Sequence, residues 1–449
     1  MRSKSRDKFG LIPISIYTRP EPCGGSCIYC PTAKGFPKSY VENEDTIFAL
    51  EVGYDPVKQA ALKWANAVVL NDLYPGTYPI ELIVLGGSFS AHSKEYRRQF
   101  IFEIIEWSRA VHSALGVCHV PLISVLTVES RPDQISDEEC EFLLQLGVSK
   151  VEVGVQHTSD EVLATVNRGH TQGEVVKATE RLKHYGFKVG YHIMTNLPGS
   201  NTAKDLQMIQ TDLWKPEYTP DYLKIYPCNL LSNAGLQPGL WKLYRKKQWE
   251  PPTRSEVLDL LTATAQYIPR HVRVARVQRQ FDSSDISKSF GSGIHRSLGH
   301  CFKDISKREG HNWIEVTPPL SALFIEVIQR GNDVYFEYLY KTSDNLAAIG
   351  RLRVLSDSSA VLREIKVFGP CSAIGQRGAL QGNGIGSKLL GYIEKFVSKK
   401  YGATGFELYV NAAPGAKPFF LNRGYSLEST GLLSKVIELS TQTVKKIPF

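Results

Sequence analysis

The sequence predicts an α/β chain: a partial (βα)6 barrel followed by a smaller α+β domain. Three observations carry that expectation. Apolar strand-like runs alternate with helix-like stretches through the first half, as in a parallel sheet covered on both faces. The unusual polar and glycine residues fall just after those runs, where a parallel barrel carries its chemistry. After Trp313 the pattern changes to successive strands, a glycine-rich turn, a helix, a strand and a short helix.

In the first half, strands are expected at residues 11–17, 80–85, 122–128, 150–155, 187–192 and 222–226. Helices are expected at 57–70, 94–115, 137–146, 174–185 and 203–213. The strands end in turn on a cysteine cluster, Gly86-Gly87-Ser88, Glu129-Ser130-Arg131, Gln156, Asn196 and Pro227. So many polar or glycine-rich endings on one rim are not a packing pattern. In the second half, strands are expected at 323–328, 334–340, 348–355 and 361–368, a helix at 385–400, a strand at 406–410 and a short helix at 417–422. The domains are then 1–240, a basic linker 241–312, and 313–449.

Composition narrows the class. With 449 residues, 42% hydrophobic and 22% charged, the chain can bury a large core, which excludes intrinsic disorder for most of its length. No apolar run approaches the ~18 residues of a membrane span, and the basic start with Pro13 is not read as a secretory signal. The net charge of +8 is unevenly spread: residues 241–280 carry nine Lys and Arg against three acids, beside Trp241, Tyr244, Trp249 and Tyr267. Such a stretch suits a phosphate backbone with bases to stack, and equally a solvated surface. His92, His112 and His119 read as ordinary surface or core residues, and Asp205 and Asp212 as first-turn and exposed helix charges.

Eight cysteines are too few for a disulfide scaffold. Three of them form Cys23-Gly24-Gly25-Ser26-Cys27-Ile28-Tyr29-Cys30, spaced C-x3-C-x2-C. Three thiolates on one short loop can hold three irons of a [4Fe–4S] cluster and leave the fourth iron open. Zinc is the competing metal, but a structural zinc site wants four protein ligands. This spacing after a first strand resembles the radical S-adenosylmethionine superfamily, in which the open iron chelates S-adenosylmethionine. Gly86 and Gly87 stand where that superfamily brings backbone to the methionine end, and glycine permits close approach.

The second motif is Gln381-Gly382-Asn383-Gly384-Ile385-Gly386, then Ser387, spaced Q-x-x-G-x-G between a strand and a helix. Backbone N–H groups at such a helix start bind anions. Placed after four strands, it resembles the acetyl-coenzyme A loop of the GNAT acetyltransferases.

Both modules in this order resemble one family over nearly the whole chain, the catalytic subunit of Elongator. Its pieces here include Glu129-Ser130-Arg131-Pro132-Asp133, Asn167-Arg168-Gly169-His170-Thr171, Asp221-Tyr222-Leu223-Lys224-Ile225-Tyr226-Pro227 and Arg276-Val277-Gln278-Arg279. The resemblance implies a radical S-adenosylmethionine barrel and a GNAT domain acting on uridine 34 of tRNA. An acetyl-CoA methyl radical would add to C5, and thioester hydrolysis would leave 5-carboxymethyluridine. It implies the cluster on Cys23, Cys27 and Cys30, and S-adenosylmethionine at Gly86, Gly87 and Gln156. It implies acetyl-CoA along Glu364, Ile365, Lys366 and Val367, at Gln381, Gly384, Ile385, Gly386 and Ser387, and near Phe420. Arg276 and Arg279 would hold the tRNA anticodon stem-loop, a reductant protein would supply electrons, and the setting would be cytoplasmic, without a membrane. No catalytic residue is assigned.

Four departures stand out. The first cysteine gap is three. Pro79 stands where the family commonly has a lysine. Cys301 with His295, His300 and His311 is all that remains of a zinc site and is read as holding none. Phe419-Phe420 replaces a tyrosine pair. A protein lysine acetyltransferase and a non-catalytic tRNA-binding homologue are the alternative readings.

Overall fold

The computed structural model describes residues 11–70, 79–116, 122–277, 323–341, 346–368, 382–401 and 405–437. Gln381, Arg279, His119, and Cys301 with its three histidines lie outside the described residues.

The first sheet is parallel and runs in sequence order: β1 (Ile12–Tyr17), β2 (Ile80–Leu85), β3 (Ile123–Ser130), β4 (Lys150–Gln156), β5 (Lys188–Thr195), β6 (Tyr222–Pro227) and β7 (Arg273–Arg276). The six expected strands are all present. β7 adds a seventh inside the segment set apart as a basic linker, with α8 (Pro238–Arg245) and α9 (Arg254–Ala265) before it. Its sequence, Arg-Val-Ala-Arg, looks like charge rather than strand because only two apolar residues mark it.

Two faces of these strands do different work. Val128, Val151, Val153, Val189, Tyr191, Leu223 and Ile225 belong to the apolar core under the helices. The alternate residues, Glu81, Glu129, Lys150, Glu152, His192 and Lys224, meet one another on the other face. Lys224 Nζ on β6 comes within 3.8 Å of Glu129 on β3. Across a flat sheet those strands would stand about 14 Å apart, so the sheet is curled and its concave side is polar. The covering helices include α3 (Lys94–Ala114), α4 (Asp137–Gln145), α5 (Asp160–Thr165), α6 (Gln172–His184) and α7 (Thr202–Gln210). Ser93, Ser136, Thr171, Asn201 and Thr253 cap the starts of α3, α4, α6, α7 and α9 through their side chains, each cap contributing about 1 kcal/mol. No helix among the described residues is long and apolar enough to cross a membrane.

The second sheet comprises β8 (Leu323–Arg330), β9 (Asp333–Tyr340), β10 (Leu346–Ser356), β11 (Ser359–Val367), β12 (Phe406–Val410), β13 (Ser426–Leu427) and β14 (Leu433–Ile437), in spatial order β13-β14-β12-β11-β10-β9-β8. Among the described strands of this sheet only β11 and β12 pair in parallel. Helix α10 (Ile385–Tyr401) packs Leu389, Leu390, Ile393 and Val397 into this domain's core.

The second domain docks on the floor of the first, at the N-terminal ends of its strands. Asp221, just before β6, receives Arg363 from β11 at 2.5 and 3.1 Å and Arg351 from β10 at 3.2 Å. Asp333 of β9 meets Lys183 of α6 at 2.8 Å. Glu337 of β9 meets Arg270 at 3.1 Å and His271 at 3.4 Å, both just before β7. Gly186, at the turn before β5, has φ +81°, and an ideal Cβ there would lie 2.6 Å from Val361 and 2.9 Å from Asn411. Gly186→Ala is therefore expected to destabilise the docked pair by roughly 1–3 kcal/mol, read as a lower urea midpoint than wild type. An unchanged midpoint would show that the two domains are not held at this contact.

Candidate functional site

Cys23, Cys27 and Cys30 lie, half-buried, on the loop that leaves β1 at the opposite, C-terminal rim. Neighbouring elements hold the loop by its backbone. Ile28 N donates to Val166 O at 3.1 Å, Gln237 Nε2 to Tyr29 O at 2.7 Å, and Gln134 Nε2 to Cys23 O at 3.2 Å. Two buried arginines back it. Arg168 donates through Nη2 to Gly154 O at 2.6 Å and places Nη1 3.5 Å from Cys27 Sγ. Arg131 bonds Asp133 at 3.0 Å and donates to Arg168 O at 3.0 Å. Arg131 Nη1, Arg168 Nε and the Tyr29 hydroxyl are buried without a hydrogen-bond partner among the described residues. A Cβ on Gly25 would collide with Arg131 Nη1, so glycine alone leaves that approach open.

These residues fit a [4Fe–4S] cluster. Its thiolates and sulfides carry negative charge, which buried, unsatisfied guanidinium N–H groups complement. A single zinc would gather the sulfurs to about 3.8 Å from one another at its usual 2.3 Å bond length. Among the described residues, however, the only three metal-ligating groups within 4.8 Å of one another are Glu129, Glu152 and His192.

The rim beside this loop is built from backbone that few residues tolerate. Gly86 has φ +150°, where a Cβ would strike the Thr18 hydroxyl; Gly87 has φ +89° and would place a Cβ 3.0 Å from Lys38 O. Gln156, Asn167 and Asn196 are left-handed without being glycine, at φ +68°, +57° and +60°, a conformation costing roughly 1–3 kcal/mol each. Asp205 holds part of this rim. It was expected to be an ordinary first-turn charge, but it is fully buried and accepts from Asn196 N at 2.7 Å and Ser200 Oγ at 2.6 Å, with His157 at 3.2 Å. The expectation failed because a first-turn acid normally serves the helix dipole; this one also fixes the preceding loop.

Below the rim, the concave face carries a ladder of charges. Glu152 meets His192 at 2.9 Å, Lys150 at 3.0 Å and Lys224. Tyr40 donates to Glu129 at 3.0 Å. Lys150 also meets Glu81 at 3.0 Å. Burial alone raises the Glu81 carboxyl's pKa, but the Lys150 ammonium overrides it and holds the value down to about 2. The trio Glu129, Glu152 and His192 needs no metal for charge balance, because the Lys224 ammonium already sits at Glu152. At the floor, Tyr222 donates to Glu364 of β11 at 2.9 Å. Arg276, half-buried at the rim end of β7, faces Tyr226, Tyr40, Glu152 and Glu129 rather than lying on an open basic surface.

The second domain presents a different kind of site. Pairing between β11 and β12 ends at Leu362↔Val410, where β12 itself ends, while β11 runs on through Glu364 to Val367. Gly384, at φ +78°, leads into α10, whose first residues are the buried Ile385, then Gly386 and Ser387. Arg423 donates to Ser387 Oγ at 2.6 Å and covers the Phe419 ring at 3.8 Å. The side chains beside Gly386 are those of Val367 and Phe419. Phe420, expected beside acetyl-CoA, is buried in the domain core, packed edge-on between Phe419 and Tyr425. The short helix α11 (Lys417–Leu421) turns successive side chains by about 100°, so only one of the pair can face the glycine turn.

Residues 21–210 match the Radical SAM superfamily. The tRNA uridine(34) acetyltransferase of Dehalococcoides mccartyi is 28% identical, across 95% of this chain and 98% of that protein. Elongator complex protein 3 of Homo sapiens is 26% identical, across 94% and 84%. The chain is similar over nearly its whole length to the Elongator catalytic subunits. The solved structure of Methanocaldococcus infernus Elp3 shares the fold, with a TM-score of 0.77 at 23% identity over 95% of this chain and 99% of that one. That shared fold spans the cysteine rim, the charged concave face and the second sheet together.

Proposed function

We propose that this protein carboxymethylates C5 of uridine 34 in tRNA, using acetyl-CoA and a 5′-deoxyadenosyl radical. The observation that carries this reading is that one chain sets both sites against the charged barrel. The three-cysteine loop lies at its C-terminal rim, and β11 with the glycine-turned start of α10 belongs to the domain docked on its floor, bonded there through Tyr222 and Glu364. Full-length relatives named for tRNA uridine(34) support the substrate.

When bound, the cluster supplies the electron that turns S-adenosylmethionine into a radical source, and a reductant protein replenishes it. The chain's own residues do the rest. Cys23, Cys27 and Cys30 ligate the cluster, while Arg131 and Arg168 offer their unsatisfied N–H groups to its anionic surroundings. Gly86, Gly87 and Gln156 form the S-adenosylmethionine rim. The backbone of Glu364, Ile365, Lys366 and Val367 holds the pantetheine arm, with Gly384 to Ser387 and Gln381 at the pyrophosphate. Arg279 receives the tRNA, and Arg276, turned toward the concave face, stands where a splayed uridine 34 would enter. Radical chemistry suits this substrate because neither a uracil C5–H nor an acetyl methyl offers a ready acid–base handle. A polar acetyl transfer to lysine would find no phenol beside the glycine turn, where Phe419 stands, to protonate the departing thiolate, an acid typically worth 10²–10⁴-fold.

The test is nucleoside mass spectrometry of tRNA from cells with and without the gene. Loss of 5-carboxymethyluridine and its derivatives at position 34 is expected on deletion, with restoration by the wild-type gene. Unchanged tRNA together with a loss of protein lysine acetylation would replace this reading with the acetyltransferase one.

A further inference from the structure

Lys188 opens β5 at the lumen floor and is 7% exposed. It lies in register opposite Lys150 and on the same face of its strand as His192. The neighbouring cations are all paired: Lys150 with Glu81 and Glu152, Lys224 with Glu152, Arg351 with Asp221 and Glu364, Arg363 with Asp221. The Lys188 ammonium makes no hydrogen bond or ion pair among the described residues. An ammonium on a largely buried side chain with no partner of its own has its donors open to a ligand.

Its position also says which ligand. Phe187, the residue before it, accepts from Arg363 Nη1 at 3.3 Å, and Gly186 abuts Val361 and Asn411. Lys188 therefore starts beside the point where the pairing of β11 and β12 ends, at Leu362↔Val410. With a pyrophosphate at the start of α10, beyond the far end of β11, a pantetheine arm laid along Val367 to Glu364 delivers its acyl end to that point.

We propose that the Lys188 ammonium hydrogen-bonds the thioester carbonyl oxygen of the acyl donor, reaching it from the barrel floor. The assignment rests on the acetyl-CoA reading above. It gives the barrel, and not the acyl-binding domain alone, a direct hold on the acyl group. Coenzyme A itself lacks that carbonyl, so Lys188 distinguishes loaded from spent cofactor. Four charged groups face Lys188: Glu81 of β2, Lys150 of β4, Arg351 of β10 and Asp221 before β6. Burial is the main influence and lowers its pKa to about 8; Lys150 and Arg351 act with it, Glu81 and Asp221 against it. The preference for acetyl-CoA should therefore weaken as pH rises from about 7 to 9.

The experiment is calorimetric titration of the full-length protein with acetyl-CoA and, separately, with coenzyme A, for wild type, Lys188→Met and Lys188→Arg. Urea midpoints serve as the check of fold. Lys188→Met should weaken acetyl-CoA binding ~10-fold, typical of a hydrogen bond from a charged donor, with coenzyme A binding unchanged and the pH dependence of preference lost. Lys188→Arg should recover part of the preference. Unchanged acetyl-CoA affinity in Lys188→Met, or equal losses for both ligands, would overturn the assignment while leaving the acetyl-CoA reading standing. Failure of wild type to bind either ligand would overturn that reading and the Lys188 assignment with it.

Discussion

Cys30→Ser protein, reconstituted anaerobically, is expected to lose its bound iron and all 5-carboxymethyluridine formation while keeping its fold and its affinity for acetyl-CoA. Wild type should bind about four irons per chain. The loop itself should survive the substitution, because its anchors are backbone groups: Ile28 N on Val166 O, and Tyr29 O and Cys23 O under two glutamines. The Cys30 sulfur makes a long contact of 3.7 Å to Pro31 O. Serine offers no thiolate, and two remaining ligands hold a cluster poorly. The proposed acyl site lies in the second domain, away from the cysteine loop, so its occupancy should not depend on the sulfur. Iron analysis, the visible absorption of the cluster and calorimetry with acetyl-CoA measure the three quantities separately. Stoichiometric zinc on wild type, or undiminished product from Cys30→Ser, would defeat the radical reading.

The strands and the cysteine rim were legible in the sequence because both signals are local. A run such as Ile80–Leu85 has only one good use in a globular chain, and three cysteines within eight residues announce themselves. The lumen was half-legible. Lys150-Val151-Glu152-Val153 and Leu223-Lys224-Ile225 alternate charge with apolar residues, yet they sit inside runs that look continuously buried. Only the curl of the sheet shows that those charges face one another. Asp205 was misread because its partners belong to the loop before its helix. The docking of the two domains was not legible at all. Asp221 and Arg363 are 142 residues apart, and each alone resembles an ordinary charge beside a strand. The glycine turn was read as one site with Phe420, but the turn of a short helix puts Phe419 there and Phe420 in the core.

Asp221→Asn is expected to give the largest loss of stability among substitutions remote from the cofactors, about 3 kcal/mol, the low end of the range for breaking a buried ion pair. Asp221 is fully buried and takes two N–H bonds from Arg363, a contact from Arg351, and the Val189 N–H at 2.8 Å. Asparagine can keep the backbone bond through its Oδ1 but supplies no charge. Among the described residues Arg363 then keeps only Asp333, at 3.5 Å, as a carboxylate partner, and Arg351 only Glu364. Burial raises the Asp221 pKa; the two guanidinium groups, Arg363 foremost, outweigh it and hold the value down to about 2. Because the folded value is depressed below the ordinary unfolded one of about 3.9, this stabilisation is complete above pH ~4. It is lost as pH falls from there through about 2. Wild type should therefore weaken steeply across that window, whereas Asp221→Asn should start lower and show a shallower acid limb. Urea denaturation at pH 7 and at a series of pH values down to 2 checks both features. An unshifted midpoint at pH 7, or parallel acid limbs for the two proteins, would mean that the domains are held by their apolar contacts and not by this carboxylate.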